Sequence, residues 1–282
     1  MQVSVLGSGS GGNVTVLKCA SGIYLIDAGL SAKQIVLRLE HMGVDPDELA
    51  GIFLTHEHSD HVRGLDVLLR KRKISVYANA LTKEALEHSF KSEVKWKVFQ
   101  TGQSFVVNDL TVIAFPVPHD AAEPVGFVLS NEQARFGLVT DVGYITQSMR
   151  VHLKDADALF IEANYDEGLL EADLKRPWAT KQRISSRHGH LSNTQAGELI
   201  AAVGCKKLHC VMLGHLSSDC NNERVAIDTI APLIDSVGDV SLVCACQDSP
   251  TEWVRFGDKV EQKFSKEILS SLEGDLVQAD LF

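Results

Sequence analysis

No apolar run in this sequence approaches the roughly 20 residues needed to cross a bilayer, and its six cysteines form no Cys-x-x-Cys pair. The first absence excludes a spanning helix. The second removes the usual sequence mark of a thiolate zinc site or a redox motif and fits a reducing compartment. Cys19, Cys205, Cys210, Cys220, Cys244 and Cys246 lie mostly in strand-like text and read as small core residues. A thiolate site at Cys244 and Cys246 is the lesser alternative. The amino terminus, MQVSVLGSGSGG, lacks a basic region followed by an apolar one and reads as a first strand, not a signal peptide. A cytoplasmic protein without membrane contact is expected. Positive charge is in short supply: 27 Lys and Arg against 37 Asp and Glu leave a net charge of −10. That argues against a globally basic nucleic-acid surface. Repeats and long Pro/Gly linkers are absent, so one domain is the simplest expectation.

Basic residues are nevertheless concentrated locally. From Lys175 to His190 the text KRPWATKQRISSRHGH holds Lys175, Arg176, Lys181, Arg183 and Arg187 with no acidic residue. It reads as a basic wall facing an acidic substrate. The run RKRK at 70–73 reads as a helix end complementing its dipole.

The glycines of GSGSGG match a dinucleotide fingerprint only superficially, because a β-branched strand, not a helix, follows them. Strands are expected over 2–6, 13–18, 23–27 and 51–55, then near 74–78, 104–107, 110–116, 125–130, 135–140, 158–163, 207–213 and 241–245. Helices are expected from Ser31 to Gly43, over 61–71, about 145–152, in parts of 165–188, and over 193–204 and 222–235. Strands come in two groups, each with helices after it. The expected class is α/β: two sheets face to face between outer helices, a four-layer αββα sandwich.

The stretch FLTHEHSDHVRG places His56, His58, Asp60 and His61 on one turn leaving a buried strand. Alternating residues project to one side, so His56 and His58 can grip one ion while Asp60 and His61 face a second. Imidazole and carboxylate without thiolate suit Zn²⁺, Mn²⁺ or Fe²⁺ in a catalytic site. The bland alternative is a surface histidine cluster without function.

Here the sequence resembles the metallo-β-lactamase superfamily over nearly its whole length. The resemblance implies five loops at strand ends. LIDAG supplies Asp27, which orients a ligand histidine from behind. THEHSDH supplies His56 and His58 for the first ion, with Asp60 and His61 for the second. PVPHDAAEPVGF supplies His119, the third ligand of the first ion. LVTDVG supplies Asp141, bridging both, and VMLGHLSSDCN supplies His215 for the second. Two divalent ions would share a water, lower its pKa and present hydroxide to an electrophile. Asp60 then counts as catalytic too. An oxygen-reducing branch carries Glu where this chain has His58, so hydrolysis is expected.

The substrate is narrowed by three features. RHGHLSN resembles a motif of tRNA 3′-processing ribonucleases and implies that His190 serves the phosphate and leaving group, with Ser192, Asn193, Arg183 and Arg187 against the substrate. GSGSGGN, THEHSDH, PHDAAEPVGF, TDVG, GHLSN and HLSSDCNN together resemble the YycJ/WalJ branch, associated with DNA exonuclease activity. That branch commonly has His where EANYD has Tyr165. The last residues, QADLF, resemble the short peptide that docks bacterial proteins on the replicative sliding clamp through Gln278, Leu281 and Phe282. The expected organisation is a catalytic domain over 1–260 and a helix and tail over 261–282. The expected activity is metal-dependent phosphodiester hydrolysis on DNA, from a 5′ end. The alternatives are a small-molecule esterase, thioesterase or lactonase, or a clamp-associated regulator with little turnover.

Overall fold

The structure is a computed structural model that describes residues 1–257. The expected carboxy-terminal helix and the residues Gln278, Leu281 and Phe282 lie outside the described residues.

The first half of the chain runs β1 (Gln2–Gly7), β2 (Val14–Cys19), β3 (Gly22–Ile26), α1 (Ala32–His41), β4 (Leu49–Phe53), α2 (Ser59–Val62), α3 (Leu65–Leu69), β5 (Ser75–Ala78), α4 (Ala80–Glu87) and β6 (Lys95–Val98). The second half runs β7 (Ser104–Val107), β8 (Leu110–Pro116), β9 (Val125–Ser130), β10 (Arg135–Val139), α5 (Gln147–His152), β11 (Ala158–Glu162), α6 (Glu167–Ala172), α7 (Trp178–Ile184), α8 (Asn193–Val203), β12 (Cys210–Gly214), α9 (Glu223–Ile234), β13 (Ser241–Cys244) and β14 (Val254–Arg255). Two sheets result, ordered β14-β1-β2-β3-β4-β5-β6 and β13-β12-β11-β10-β9-β8-β7. The last strand crosses back to pair with β1, so the edge of the first sheet is supplied by the second half of the chain.

Three apolar clusters define four layers. Tyr24, Phe53, Phe127, Phe136 and Met212 fill the space between the sheets. Ile35, Leu39 and Leu68 bury α1 and α3 on the outer face of the first sheet. Leu199, Ile200 and Ile230 do the same for α8 and α9 on the second. Helix starts are fixed locally: Ser31 accepts from Gln34 N, and Ser192 with Gln195 forms a reciprocal capping box at α8. The expected αββα sandwich is therefore the observed architecture.

The structure departs from the sequence reading at Gly64 and in three short elements. The single helix expected over 61–71 is two short ones, broken at Gly64. A Cβ on Gly64 would stand 2.2 Å from Leu30 O, and its N–H donates to Ala28 O at 2.8 Å. Close packing of two loops overrides helical periodicity there. Helix α4 and strands β6 and β14 were not anticipated. In β6, Lys95 and Lys97 sit on an exposed edge strand, where charge blocks further pairing; the alternation of Val94, Trp96 and Val98 with these lysines was the strand signal passed over in the sequence.

Candidate metal centre

Parallel pairing sets the site. β3, β4 and β5 run the same way, as do β10, β11, β12 and β13. Their carboxyl ends meet at one edge of the sandwich, where loops are free to carry side chains of diverse chemistry. Asp27 follows β3, His56 to His61 follow β4, His119 follows β8, Asp141 follows β10 and His215 follows β12. Val125 N, opening β9, donates to Thr55 O at 3.0 Å, tying the motif loop of one sheet to the other.

The expected ligands converge. Donor atoms of His56, His58 and His119 lie within 4.8 Å of one another, as do those of Asp60, His61 and His215. Asp141 joins them: its Oδ1 is 3.6 Å from His119 Nε2 and its Oδ2 is 3.0 Å from His61 Nε2. One carboxylate thus faces both groups. Nearly all of this is buried, with His61 wholly so and Asp60 the most open of the carboxylates.

Two observations fit a divalent cation here. His56 Nε2 and His215 Nε2 are buried with no hydrogen-bond partner among the described residues, although an orphaned polar atom costs about 1–3 kcal/mol. Buried Asp27, Asp141 and Glu162, with partly buried Asp60, also concentrate negative charge. Burial, reinforced by the neighbouring His61 imidazole, pushes the pKa of His56 well down, leaving it a neutral ligand. Burial likewise lowers His119. For His61, burial opposes the proton, but Asp141 and Asp27 outweigh it and hold the pKa at about 10. A metal ion would replace that proton, because metal ligands bind deprotonated.

The histidines are aimed by carboxylates behind them. Asp27 takes the Nδ1 proton of His61 at 2.7 Å, leaving Nε2 to face Asp60 and Asp141. The same carboxylate accepts from Thr55 N and Thr55 Oγ1, both at 2.8 Å. Glu162 repeats the device on the other sheet. Its Oε1 accepts from His215 Nδ1 at 2.7 Å and His190 Nδ1 at 2.8 Å. Its Oε2 accepts from Val142 N and Leu191 N at 2.9 and 3.1 Å. Burial opposes its charge, yet His190 and His215 hold its pKa down at about 2.

Sequence reasoning missed Glu162. Its signal was there: an acidic residue closing an apolar strand, ALFIE, as Asp27 closes YLID. Two further residues were missed. Ser8 Oγ accepts from His215 N at 2.7 Å and donates to Asn13 Oδ1 at 2.9 Å, and Asn13 Nδ2 reaches His61 Nε2 at 3.2 Å. The glycine-rich turn therefore joins two antiparallel strands and supports the centre from below.

The residues expected against substrate divide. His190 lies at the centre, 17 % exposed. Arg183 stands at the rim and grips Asp120 Oδ2 at 2.8 and 3.1 Å. Arg187 stacks 4.4 Å over the Tyr144 ring. Ser192 and Asn193 require a correction. Ser192 is buried as the cap of α8, and buried Asn193 exchanges two hydrogen bonds with Asn221, at 2.8 and 3.0 Å. Both serve the fold, because a buried amide must be paired. Cys246 is exposed and Cys244 half-buried, and neither belongs to a group of potential metal ligands among the described residues.

Residues 23–214 match the family described as the beta-lactamase superfamily domain. The chain is 35 % identical over 241 residues to exodeoxyribonuclease YycJ of Bacillus anthracis, covering 84 % of this chain and 90 % of that one. It is 37 % identical over 227 residues to exodeoxyribonuclease WalJ of Streptococcus pneumoniae serotype 2, covering 79 % and 84 %. The crystal structure of the metallo-beta-lactamase fold protein YhfI from Bacillus subtilis superposes with a TM-score of 0.67 at 16 % identity, covering 89 % of this chain and 98 % of that one. The chain belongs to the metallo-β-lactamase superfamily. It is a metal-dependent hydrolase of that fold. No described helix is long and apolar enough to cross a membrane.

Proposed function

We propose that the chain is an exonuclease that hydrolyses phosphodiester bonds of DNA at a dinuclear metal centre. The observation that carries this reading is the likeness, over 84 % and 79 % of the chain, to two exodeoxyribonucleases. The geometry supports it. His56, His58 and His119 would hold one divalent ion, with Zn²⁺ and Mn²⁺ the leading candidates and Fe²⁺ the third. Asp60, His61 and His215 would hold the other, and Asp141 would touch both. Such a pair supplies a deprotonated water near neutral pH and stabilises charge on phosphoryl oxygens.

The chain's own residues supply orientation and protons. Asp27 and Glu162 fix the tautomers of His61 and His215. Glu162 also accepts from His190 Nδ1, so the other nitrogen of His190 is the one left for substrate. Burial disfavours the imidazolium, but Glu162 outweighs it and raises the pKa of His190. His190 is thus suited to give a proton to the departing sugar oxygen. His190→Ala should retain metal and lose turnover, by about 10²–10⁴-fold. Metal loss in that variant would instead make His190 structural.

A cleft of about 400 Å³, lined by Ser8, Gly9, Leu216, Ser217 and Asn221 among others, flanks the centre beside His215. The test uses end-labelled single- and double-stranded DNA with Mn²⁺ or Zn²⁺. Wild type should shorten the strand and Asp60→Ala should not. Equal cleavage by both, or rapid thioester hydrolysis with intact DNA, would overturn the assignment.

A further inference from the structure

The segment between the metal centre and the surface carries a feature that hydrolysis at the ions does not use. Trp178, the first residue of α7, is 69 % exposed, with Leu174 98 % and Leu169 38 % exposed nearby. The ring of Trp178 borders a cavity of about 250 Å³, whose opposite wall includes Tyr165, Leu170, Glu167 and Glu171. Trp178, Lys181 and Ser185 line it at i, i+3 and i+7, one face of the helix.

The other end of α7 touches the catalytic apparatus. Arg183 grips Asp120, whose Oδ1 is 3.3 Å from His119 Nε2. Ile184 O accepts from His190 N at 2.9 Å. From Ile184 back to Trp178 the helix rises about 9 Å, the reach of about one or two nucleotides of an extended single strand.

We propose that Trp178 is a stacking shelf for a nucleobase of single-stranded DNA, next to the nucleotide being cut; this rests on the nuclease reading above. The chemistry of the cavity selects a base over a phosphate. Glu167 and Glu171 would repel an anion, but they accept hydrogen bonds from exocyclic amino groups. The Tyr165 phenol, pushed up to about 12 chiefly by burial and then by Glu167, stays protonated as a donor. Of the nearby cations, Lys175 and Arg176 pair with Asp219, whereas Lys181, at the cavity wall, donates to the backbone Glu171 O at 2.7 Å and keeps its charge beside the two glutamates. Stacking, which every base offers, then supplies strand affinity that this acidic molecule lacks in charge.

The test uses the full chain and a short single-stranded oligodeoxynucleotide. In metal-free wild type the oligonucleotide should quench tryptophan fluorescence. Trp178→Ala should lose that quench and bind roughly five- to hundredfold more weakly, with Trp178→Phe in between. KM on single-stranded DNA should rise in step, while turnover of bis(p-nitrophenyl) phosphate, too small to reach the shelf, should not change. Unaltered DNA binding and KM in Trp178→Ala would overturn the shelf and leave the nuclease reading standing. A variant that changes oligomeric state but not DNA affinity would make this face a contact between copies, and would also overturn it. Wild type that hydrolyses the small diester but binds no oligonucleotide would overturn both.

Discussion

Among the described residues, Asp27, Asp141 and His215 adopt left-handed backbone conformations, with φ of 63°, 55° and 56°. Each stands where a strand has just ended and the chain turns. Such conformations are uncommon for residues with a Cβ, and they cluster where a side chain must be aimed. Asp27 and Glu162 have equivalent tasks on the two sheets, and this gives a sharp test. In Glu162→Gln one oxygen becomes an NH₂ that must face either the N–H groups of Val142 and Leu191 or the imidazoles. Divalent-metal affinity should fall by about 10–100-fold, read by calorimetric titration. Unchanged affinity would mean that Glu162 does not govern His215. The convergence of candidate donor groups was partly legible from sequence, because His-x-His-x-Asp-His concentrates four of them on one turn. Glu162 carries the same mark as Asp27 and was passed over, because its partners His190 and His215 lie far along the chain. Ser192 and Asn193 were misread for the opposite reason. They adjoin His190 in the chain, but the start of α8 turns their side chains into the fold.

At the scale of elements, the turn after β3 and the turn after β4 pack backbone against backbone. A Cβ on Gly29 would sit 1.6 Å from Asp60 O, and Asn13 N donates to that same oxygen at 2.8 Å. Gly29→Ala should therefore displace the loop bearing Asp60 and His61, lowering both Tm and metal uptake. By contrast, Gly43→Ala, with open space around its Cβ position and φ of 71°, should cost only about 1 kcal/mol, the ordinary strain of that backbone region. Equal Tm losses would argue against tight packing under the motif. Asp66 supplies a pH test away from the centre. Burial opposes its charge, but hydrogen bonds from Arg70, Ser92 and Lys91 hold its pKa at about 2. A depressed carboxyl stabilises above the unfolded value, about 3.9, and its contribution is lost as pH falls through the folded value near 2. Asp66→Asn should consequently lower Tm at pH 7 and make little difference at pH 2, as followed by circular dichroism. Most strands were visible as β-branched runs. The break at Gly64 was not, since it depends on Leu30 and Ala28, which only the folded chain brings close.

For the molecule as a whole, the net charge of −10 constrains how it meets a polyanion. Arg183 is engaged by Asp120 and Lys175 by Asp219, whereas Arg187 forms no ion pair among the described residues. In the basic run from Lys175 to Arg187, only Lys181 and Arg187 are left without an ion pair among the described residues. The slope of log K against log salt for single-stranded DNA should thus be shallow, about −2 or smaller in magnitude at about −0.7 per phosphate neutralised. A steep slope would reveal a basic track not recognised in the fold. Docking of residues 278–282 on the sliding clamp, proposed from sequence alone, would compensate by raising local concentration. Deleting those residues should abolish capture by the clamp in a pull-down while leaving turnover on free oligonucleotides intact.

The two-sheet sandwich brings His56, His58, Asp60, His61, His119, Asp141 and His215 together, and their proposed role is to hold two divalent cations. Elemental analysis of chelator-stripped protein reloaded with Mn²⁺ or Zn²⁺, alongside phosphodiester turnover on the same samples, examines this at its root. Wild type should take up about two ions per chain and regain activity as they bind, and His61→Ala should take up fewer and stay inactive. Uptake and turnover indistinguishable between His61→Ala and wild type, or turnover in the stripped protein, would contradict it.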